Sequence, residues 1–170
     1  MAQEKLCENY PLRTVLISNL VSISTYLIGA FIIYSIGPVW LAIYLLYIMF
    51  LEIRLLKKSC TNCYYFGKTC AFGKGRLSSM LFRKGSVKFA SRPITRKDVI
   101  PDFMVTVVPM IAAVGLLIMN FDWLFLALLI ALFFLGFAGT GLVRGRLACK
   151  YCKQRKLGCP AEKLFGKTRK

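Results

Sequence analysis

Residues 14–70 read TVLISNLVSISTYLIGAFIIYSIGPVWLAIYLLYIMFLEIRLLKKSCTNCYYFGKTC. The stretch opens with an uncharged run over 14–36, turns at Gly37-Pro38, and resumes with an uncharged run over 38–51 that continues past Glu52 to Ile53. Basic residues follow, then Cys60, Cys63 and Cys70 in the pattern C-x2-C-x6-C. A helix needs about 20 apolar residues to cross hydrocarbon. The stretch therefore predicts a membrane hairpin that ends in a short cysteine-bearing knuckle.

The same order recurs downstream. Residues 103–119 and 123–143 are free of charge, Asn120-Phe121-Asp122 supplies the turn, and Cys149, Cys152 and Cys159 repeat the cysteine spacing. Cys149 lies 89 positions after Cys60, and the paired spans start 89 positions apart, at 14 and 103. This predicts an all-α integral membrane protein: four transmembrane helices arranged as two duplicated antiparallel hairpins, each followed by a cytoplasmic Cys-rich knuckle. The expected division is 1–102 and 103–170. Within the linker, Leu77, Met80 and Leu81 share one face beside Arg76, Arg83 and Lys84, a pattern suited to an interfacial helix that Gly85 ends. Pro93 and Pro101 are expected to keep the following stretch extended.

Composition agrees with this class. Hydrophobic residues make up 57% of the 170, yet the formal net charge is +17, and the mean hydropathy is +0.60. The two are compatible because they are segregated. Of 24 Lys and Arg, two precede the first span, twelve lie in 54–102 and ten follow from Arg144 onward. Basic residues accumulate on the cytoplasmic side, so both termini and the central loop are expected there, with the chain multi-pass in the cell (inner or plasma) membrane. Trp40, Trp123 and Tyr34 fall near the opposite ends of the spans, as an aromatic belt does. The polar first 13 residues and the long first apolar run argue against a cleavable signal peptide.

Several chemistries have no residues to carry them. No ionisable side chain sits mid-span, where transport and proton relays usually need one. The chain has no histidine, which excludes bis-histidine haem ligation and imidazole bases. No nucleophile–base pair is visible, and Asp98 and Asp102 are separated by Pro101, expected to break any helix between them; the balance leans against an enzyme. Ser18, Asn19, Ser22 and Thr25 in the first span suit close helix packing, as do the Ala127/Ala131 and Gly136/Thr140 pairs in the fourth. Pro109 is expected to kink the third span.

The six motif cysteines carry the sharper expectation. Cytoplasmic thiols stay reduced, so paired cysteines there point to metal rather than disulfide. A C-x2-C turn brings two thiolates toward one ion, which suits tetrahedral zinc. The stretch Cys149-Lys-Tyr-Cys152-Lys-Gln-Arg155-Lys156-Leu-Gly-Cys159-Pro160 resembles half of the binuclear cluster of fungal zinc-cluster transcription factors. That resemblance implies only a ligand role for Cys60, Cys63, Cys70, Cys149, Cys152 and Cys159, with two zinc ions shared by six thiolates. The halves here are separated by a hairpin, and Tyr64, Tyr65 and Phe66 replace the basic run in the first. Two Zn²⁺ and six thiolates sum to −2, which nearby lysines and arginines would offset. An iron–sulfur cluster is the alternative cofactor, with Cys159-Pro160 similar to the Cys-Pro of ferredoxin runs. Cys7 has no partner in either motif; palmitoylation there is an option.

The expected function is interaction: a scaffold, accessory subunit or sensor with a structural cysteine–metal site on a basic cytoplasmic face. Metal binding would fold loops too short and basic to build a core. Expected partners are the bilayer's anionic headgroups, then an acidic or phosphorylated partner or a larger membrane complex; nucleic acid is not favoured. Tyr64, Tyr65, Phe66 and Tyr151 are expected to anchor the knuckles at the membrane interface. The alternatives are an iron–sulfur or thiol redox subunit, and a small-solute or metal transporter.

Overall fold

The computed structural model describes residues 7–85 and 96–159, and these are helical with no strand. The helices are α1 (Leu12–Tyr34), α2 (Pro38–Lys58), α3 (Lys74–Leu81), α4 (Arg96–Met119), α5 (Trp123–Phe133), α6 (Thr140–Leu142) and α7 (Lys153–Lys156). Four segments are long and apolar enough to cross a membrane: Leu12–Tyr34, Pro38–Asn62, Asp98–Met119 and Trp123–Leu142. Their boundaries follow the local chemistry. Pro38 starts α2, where its missing N–H would have had no helical partner. Asp122 caps α5, its Oδ1 accepting from the Leu124 N–H at 2.9 Å.

Three details differ from the sequence expectation. Pro101 does not interrupt α4, which is continuous from Arg96 to Met119. Near a helix start only one ladder bond is lost, and the Pro101 carbonyl accepts from the Tyr47 hydroxyl at 2.9 Å. Asp98 and Asp102 therefore do share a helix. Second, α3 ends at Leu81 rather than at Gly85, because Phe82 turns extended. Third, the fourth span continues as wide π turns at Phe134–Gly139 and Val143–Ala148, passing its expected end at Val143. Thr140 Oγ reaches back five residues to the Leu135 carbonyl at 3.3 Å, a reach that the wider π turn permits. Pro93 lies outside the described residues.

The chain forms two compact units. One comprises Asn19–Glu52 and Lys97–Leu142. Its buried clusters are Ile33, Tyr44, Leu51 and Val105, drawn from α1, α2 and α4, and Ile32, Ala113 and Leu132, drawn from α1, α4 and α5. A hydroxyl in apolar surroundings needs a partner. Tyr44 donates to the Val105 carbonyl and Tyr26 to Glu52 Oε1, each at 2.9 Å. Gly29 lets three helices meet: a Cβ there would run into the Tyr44 hydroxyl and the Pro109 ring. Gly136 faces Thr106 and Gly139 faces Val21 in the same way, so small residues do set the approach of the fourth span. Ser18 and Thr25 on α1 are buried, whereas Leu20, Leu46, Ile111 and Ile118 are exposed.

The other unit comprises Met1–Ser18, Ile53–Arg96 and Val143–Lys170. The expectation that these segments build no core is corrected here. Tyr10, Val15, Tyr65, Ala71 and Ala148 form a small buried cluster, edged by Cys7, Cys63, Cys70, Cys152, Phe72 and Tyr151. Aromatic rings supply the apolar area that short basic segments otherwise lack. α3 exposes Leu77, Met80 and Leu81 and buries Gly75 and Ser78. Ser78 Oγ donates to the Leu56 carbonyl at 3.2 Å.

Candidate functional site

The two cysteine knuckles have matching backbones. In the first, the Cys63 N–H donates to the Cys60 carbonyl at 3.3 Å and the Phe66 N–H to the Cys63 carbonyl at 3.1 Å. In the second, Cys152 donates to Cys149 at 3.3 Å and Arg155 to Cys152 at 3.1 Å. Each donor and acceptor in one knuckle lies 89 positions from its counterpart in the other. These tight turns are the conformation that C-x2-C spacing asks for.

The knuckles dock on each other reciprocally. The Tyr64 N–H donates to Gln154 Oε1 at 2.8 Å. The Lys153 N–H donates to the Tyr65 hydroxyl at 3.0 Å. Tyr64 and Lys153 occupy equivalent positions, as do Tyr65 and Gln154, so each knuckle gives an N–H and takes one on a side chain. That is the signature of a twofold interface, in which residue i meets j and j meets i. Tyr65 and Gln154 are buried, at 2% and 5% exposure. The expectation that Tyr65 anchors at the membrane interface is thus corrected: its ring packs 5.7 Å from Tyr10 and 5.3 Å from Tyr64.

An N-terminal strap binds both knuckles. Cys7 donates its N–H to the Tyr151 carbonyl at 3.1 Å and forms an isolated parallel bridge with Cys152. Its own carbonyl accepts from the Tyr65 hydroxyl at 2.6 Å. The Tyr10 N–H donates to the Thr69 carbonyl at 3.0 Å, and the Tyr10 hydroxyl donates to the Ala148 carbonyl. Glu8 pairs with Lys153 at 2.7 Å. Cys7, which matches neither motif, is therefore a member of the assembly. Nothing in the local sequence of the strap signals this. Aligning the two cysteine motifs, by contrast, puts Tyr64-Tyr65 over Lys153-Gln154 and marks those positions as equivalent.

The thiols divide by environment. Burial pushes Cys63 up to about 11, helped by the neighbouring Cys152, Cys70 and Cys159. Burial raises Cys152 as well, with Cys159 adding to it. Backbone N–H groups oppose the rise: that of Tyr65 at Cys63, and those of Arg155 and Gln154 at Cys152. Cys70 Sγ accepts from the Gly75 N–H at 3.4 Å. Cys149 is exposed, and the other motif cysteines are half-buried. Cys63, Cys70 and Cys152 border the same buried cluster, which therefore takes sulfurs from both knuckles. As placed, no three Cys, Asp or Glu side chains among the described residues converge closely enough to hold an ion. Soft sulfur donors in paired spacing are the type that a thiophilic metal takes, and Cys70 Sγ already accepts a backbone N–H.

Cations surround this cluster. Lys68 and Lys153 stand 4.5 and 5.1 Å from the Tyr64 ring, and Lys150 lies 5.6 Å from the Tyr151 ring. The Lys153 ammonium, hydrogen-bonded to Glu8, holds that carboxyl below its ordinary 4.5, and Glu8 in turn raises Lys153 to about 12. A depressed carboxyl adds stability that is present above its unfolded value and lost as pH falls through its folded one. The strap's amide protection at Cys7, corrected for intrinsic exchange, should therefore hold through neutrality and fall below pH 4.5. Glu8→Gln should remove the acid step; an unchanged step in that variant would place the titration elsewhere.

The described residues are all-helical, with four potential spans and two cysteine knuckles of equal spacing. No family model matches this chain, and no curated protein or solved structure proves similar to it.

Proposed function

We propose that this chain is a duplicated, multi-pass membrane protein whose paired knuckles form a metal-stabilised cytoplasmic module. The module acts as a scaffold, accessory subunit or sensor. The observation that carries the reading is the reciprocal Tyr64–Gln154 and Lys153–Tyr65 bonding at equivalent positions. A duplicated hairpin with parallel topology accounts for it, because each repeat then delivers the same surface to the same side of the membrane. The exposed outer faces of α1, α2 and α4 suit lipid contact, and the placement of Lys and Arg supports knuckles on the cytoplasmic side. Exposed Leu77, Met80 and Leu81 of α3, beside Arg76 and Arg83, suit the headgroup region.

Zinc is the proposed ion, shared by the cysteine motifs, where thiolate coordination adds folding energy to a small core. When bound, the ion supplies structural crosslinking, and the chain's residues do the rest. Tyr65 and Gln154 hold the knuckles in register, and the strap covers them. A basic face of this kind attracts anionic headgroups or an acidic or phosphorylated partner. The test is elemental analysis of anaerobically purified full-length protein, with an absorption spectrum of the same sample. Zinc without visible absorption is the expected result. Iron with labile sulfide would replace this reading with a redox subunit, and protein without metal would sink the metal-stabilised module.

A further inference from the structure

Side chains from both knuckles converge on one carboxylate of the strap. The Lys153 ammonium donates to Glu8 Oε1 at 2.7 Å. The Tyr64 hydroxyl donates to the same oxygen at 3.5 Å and accepts from the Lys68 ammonium at 3.1 Å. Both ammoniums also stand against the Tyr64 ring, Lys68 at 4.5 Å and Lys153 at 5.1 Å from its centre. Two cations and a hydroxyl are thus held at a single corner of the module, with one carboxylate among them.

The carboxylate is a poor match for that corner. It sets one negative charge against two positive ones, and its contact with Tyr64 is at the outer limit for a hydrogen bond. The Glu8 side chain is 63% exposed, and ion pairs so open to water are weakly held. The residues around it are fixed more firmly. Cys7 and Tyr10 are tied to the knuckles through their backbones, and Asn9 Oδ1 accepts from the Thr69 N–H at 3.2 Å. The Glu8 side chain can therefore swing into solvent while these bonds hold the strap. A phosphate monoester supplies what the carboxylate lacks: a charge of about −1.5 to −2 at neutral pH and three acceptor oxygens. Those oxygens suffice to engage Lys153, Tyr64 and Lys68 together, through bonds of the strong, charge-assisted kind.

The duplication does not repeat this corner. Tyr64 and Lys153 occupy equivalent positions, but the counterpart of Lys68 is Leu157, an exposed apolar residue.

We propose that Lys68, Tyr64 and Lys153 form a binding site for the phosphate group of a phosphate monoester, a site that the Glu8 carboxylate fills until it is displaced. The proposal rests on the anion-attracting basic face described above and gives it one location and one ligand chemistry. A soluble phosphate monoester and the headgroup of phosphatidic acid both carry that chemistry.

The test is an amide-shift titration of the full-length protein in phosphatidylcholine nanodiscs, read at Lys68 and Lys153. The probes are glycerol 3-phosphate in solution and, separately, phosphatidic acid in the bilayer. Saturable shifts are expected; a response to the soluble probe alone assigns a free phosphate, and a response to the lipid alone assigns a headgroup. Lys68→Gln and Tyr64→Phe should each weaken binding about tenfold or more, the worth of one hydrogen bond to a charged group. Glu8→Gln should tighten it severalfold by removing the competing carboxylate. Lys84→Gln removes an equal charge elsewhere on the same unit and should change binding less than about twofold, since exposed charges at a distance are screened. Unchanged Cys7 amide protection in Lys68→Gln and Lys84→Gln checks that the module is folded. The Glu8 and Lys84 variants keep the idea falsifiable even if the others disturb the knuckles. Equal weakening by Lys84→Gln and Lys68→Gln, or no tightening in Glu8→Gln, overturns the site while leaving a diffusely basic face standing. No shift with either probe fails the basic-face reading itself.

Discussion

Tyr65→Phe should open the module although it removes one oxygen atom. That hydroxyl donates to the Cys7 carbonyl and accepts from the Lys153 N–H, so one atom ties the strap to both knuckles. Removing it leaves a half-buried acceptor and a half-buried donor without partners, each worth about 1–2 kcal/mol, the lower part of the usual penalty because water can reach them, for a combined loss of about 2–4 kcal/mol. The ring remains, so packing against Tyr10 and Tyr64 is preserved and the loss is specific to the hydrogen bonds. Amide exchange in micelles should report it: at Lys153 and Cys7, exchange should accelerate about 30-fold or more, at roughly tenfold per 1.4 kcal/mol. The α1 and α4 amides of the other unit should not change. Acceleration under threefold would mean that Tyr65 is incidental to docking.

Gly75→Ala should be the most damaging alanine substitution at a glycine. A Cβ there meets two backbone carbonyls, those of Tyr65 and Lys68. Backbone cannot rotate away as a side chain does, so the cost lies at the top of the roughly 1–3 kcal/mol range for overpacking. The higher helix propensity of alanine returns only about 1 kcal/mol. α3 would lift from the knuckle, and the Gly75 N–H would leave Cys70 Sγ. Gly115→Ala is the control, since no atom lies within 4 Å of a Cβ at that site; it should be neutral or slightly stabilising. Denaturant titration of both variants in mixed micelles measures the difference. Equal midpoints would show that the knuckle yields to α3 without cost.

These two positions also mark the limits of what could be read from the chain. The four potential spans were legible because uncharged runs of membrane length need no tertiary information to be recognised. The equal spacing of the two cysteine motifs, offset by 89 positions, was legible as well. Neither Gly75 nor the N-terminal strap could be read, because their roles exist only once segments far apart in sequence touch. Tyr65 was misread for a related reason: beside basic residues a tyrosine has the composition of an interfacial anchor, yet here it is the centre of a miniature core. Pro101 shows the reverse error, a correct local rule applied too near a helix start for it to end the helix. The close approach of Thr106 to Gly136 and of Val21 to Gly139 is likewise tertiary, which periodicity does not encode.

The strap has a consequence for biosynthesis. Tyr10 bonds to Ala148 across 138 positions and Glu8 to Lys153 across 145. Segments leave the ribosome in order, so the first knuckle and the strap are made long before the surfaces that complete them. Until residue 154 emerges, Tyr65, Tyr10 and the thiols of the first knuckle remain uncovered and accessible to chaperones or oxidants. Closure of the strap over the knuckles is a late event that reports synthesis past residue 154, and a product truncated before Ala148 would leave that surface open for recognition by proteolytic surveillance.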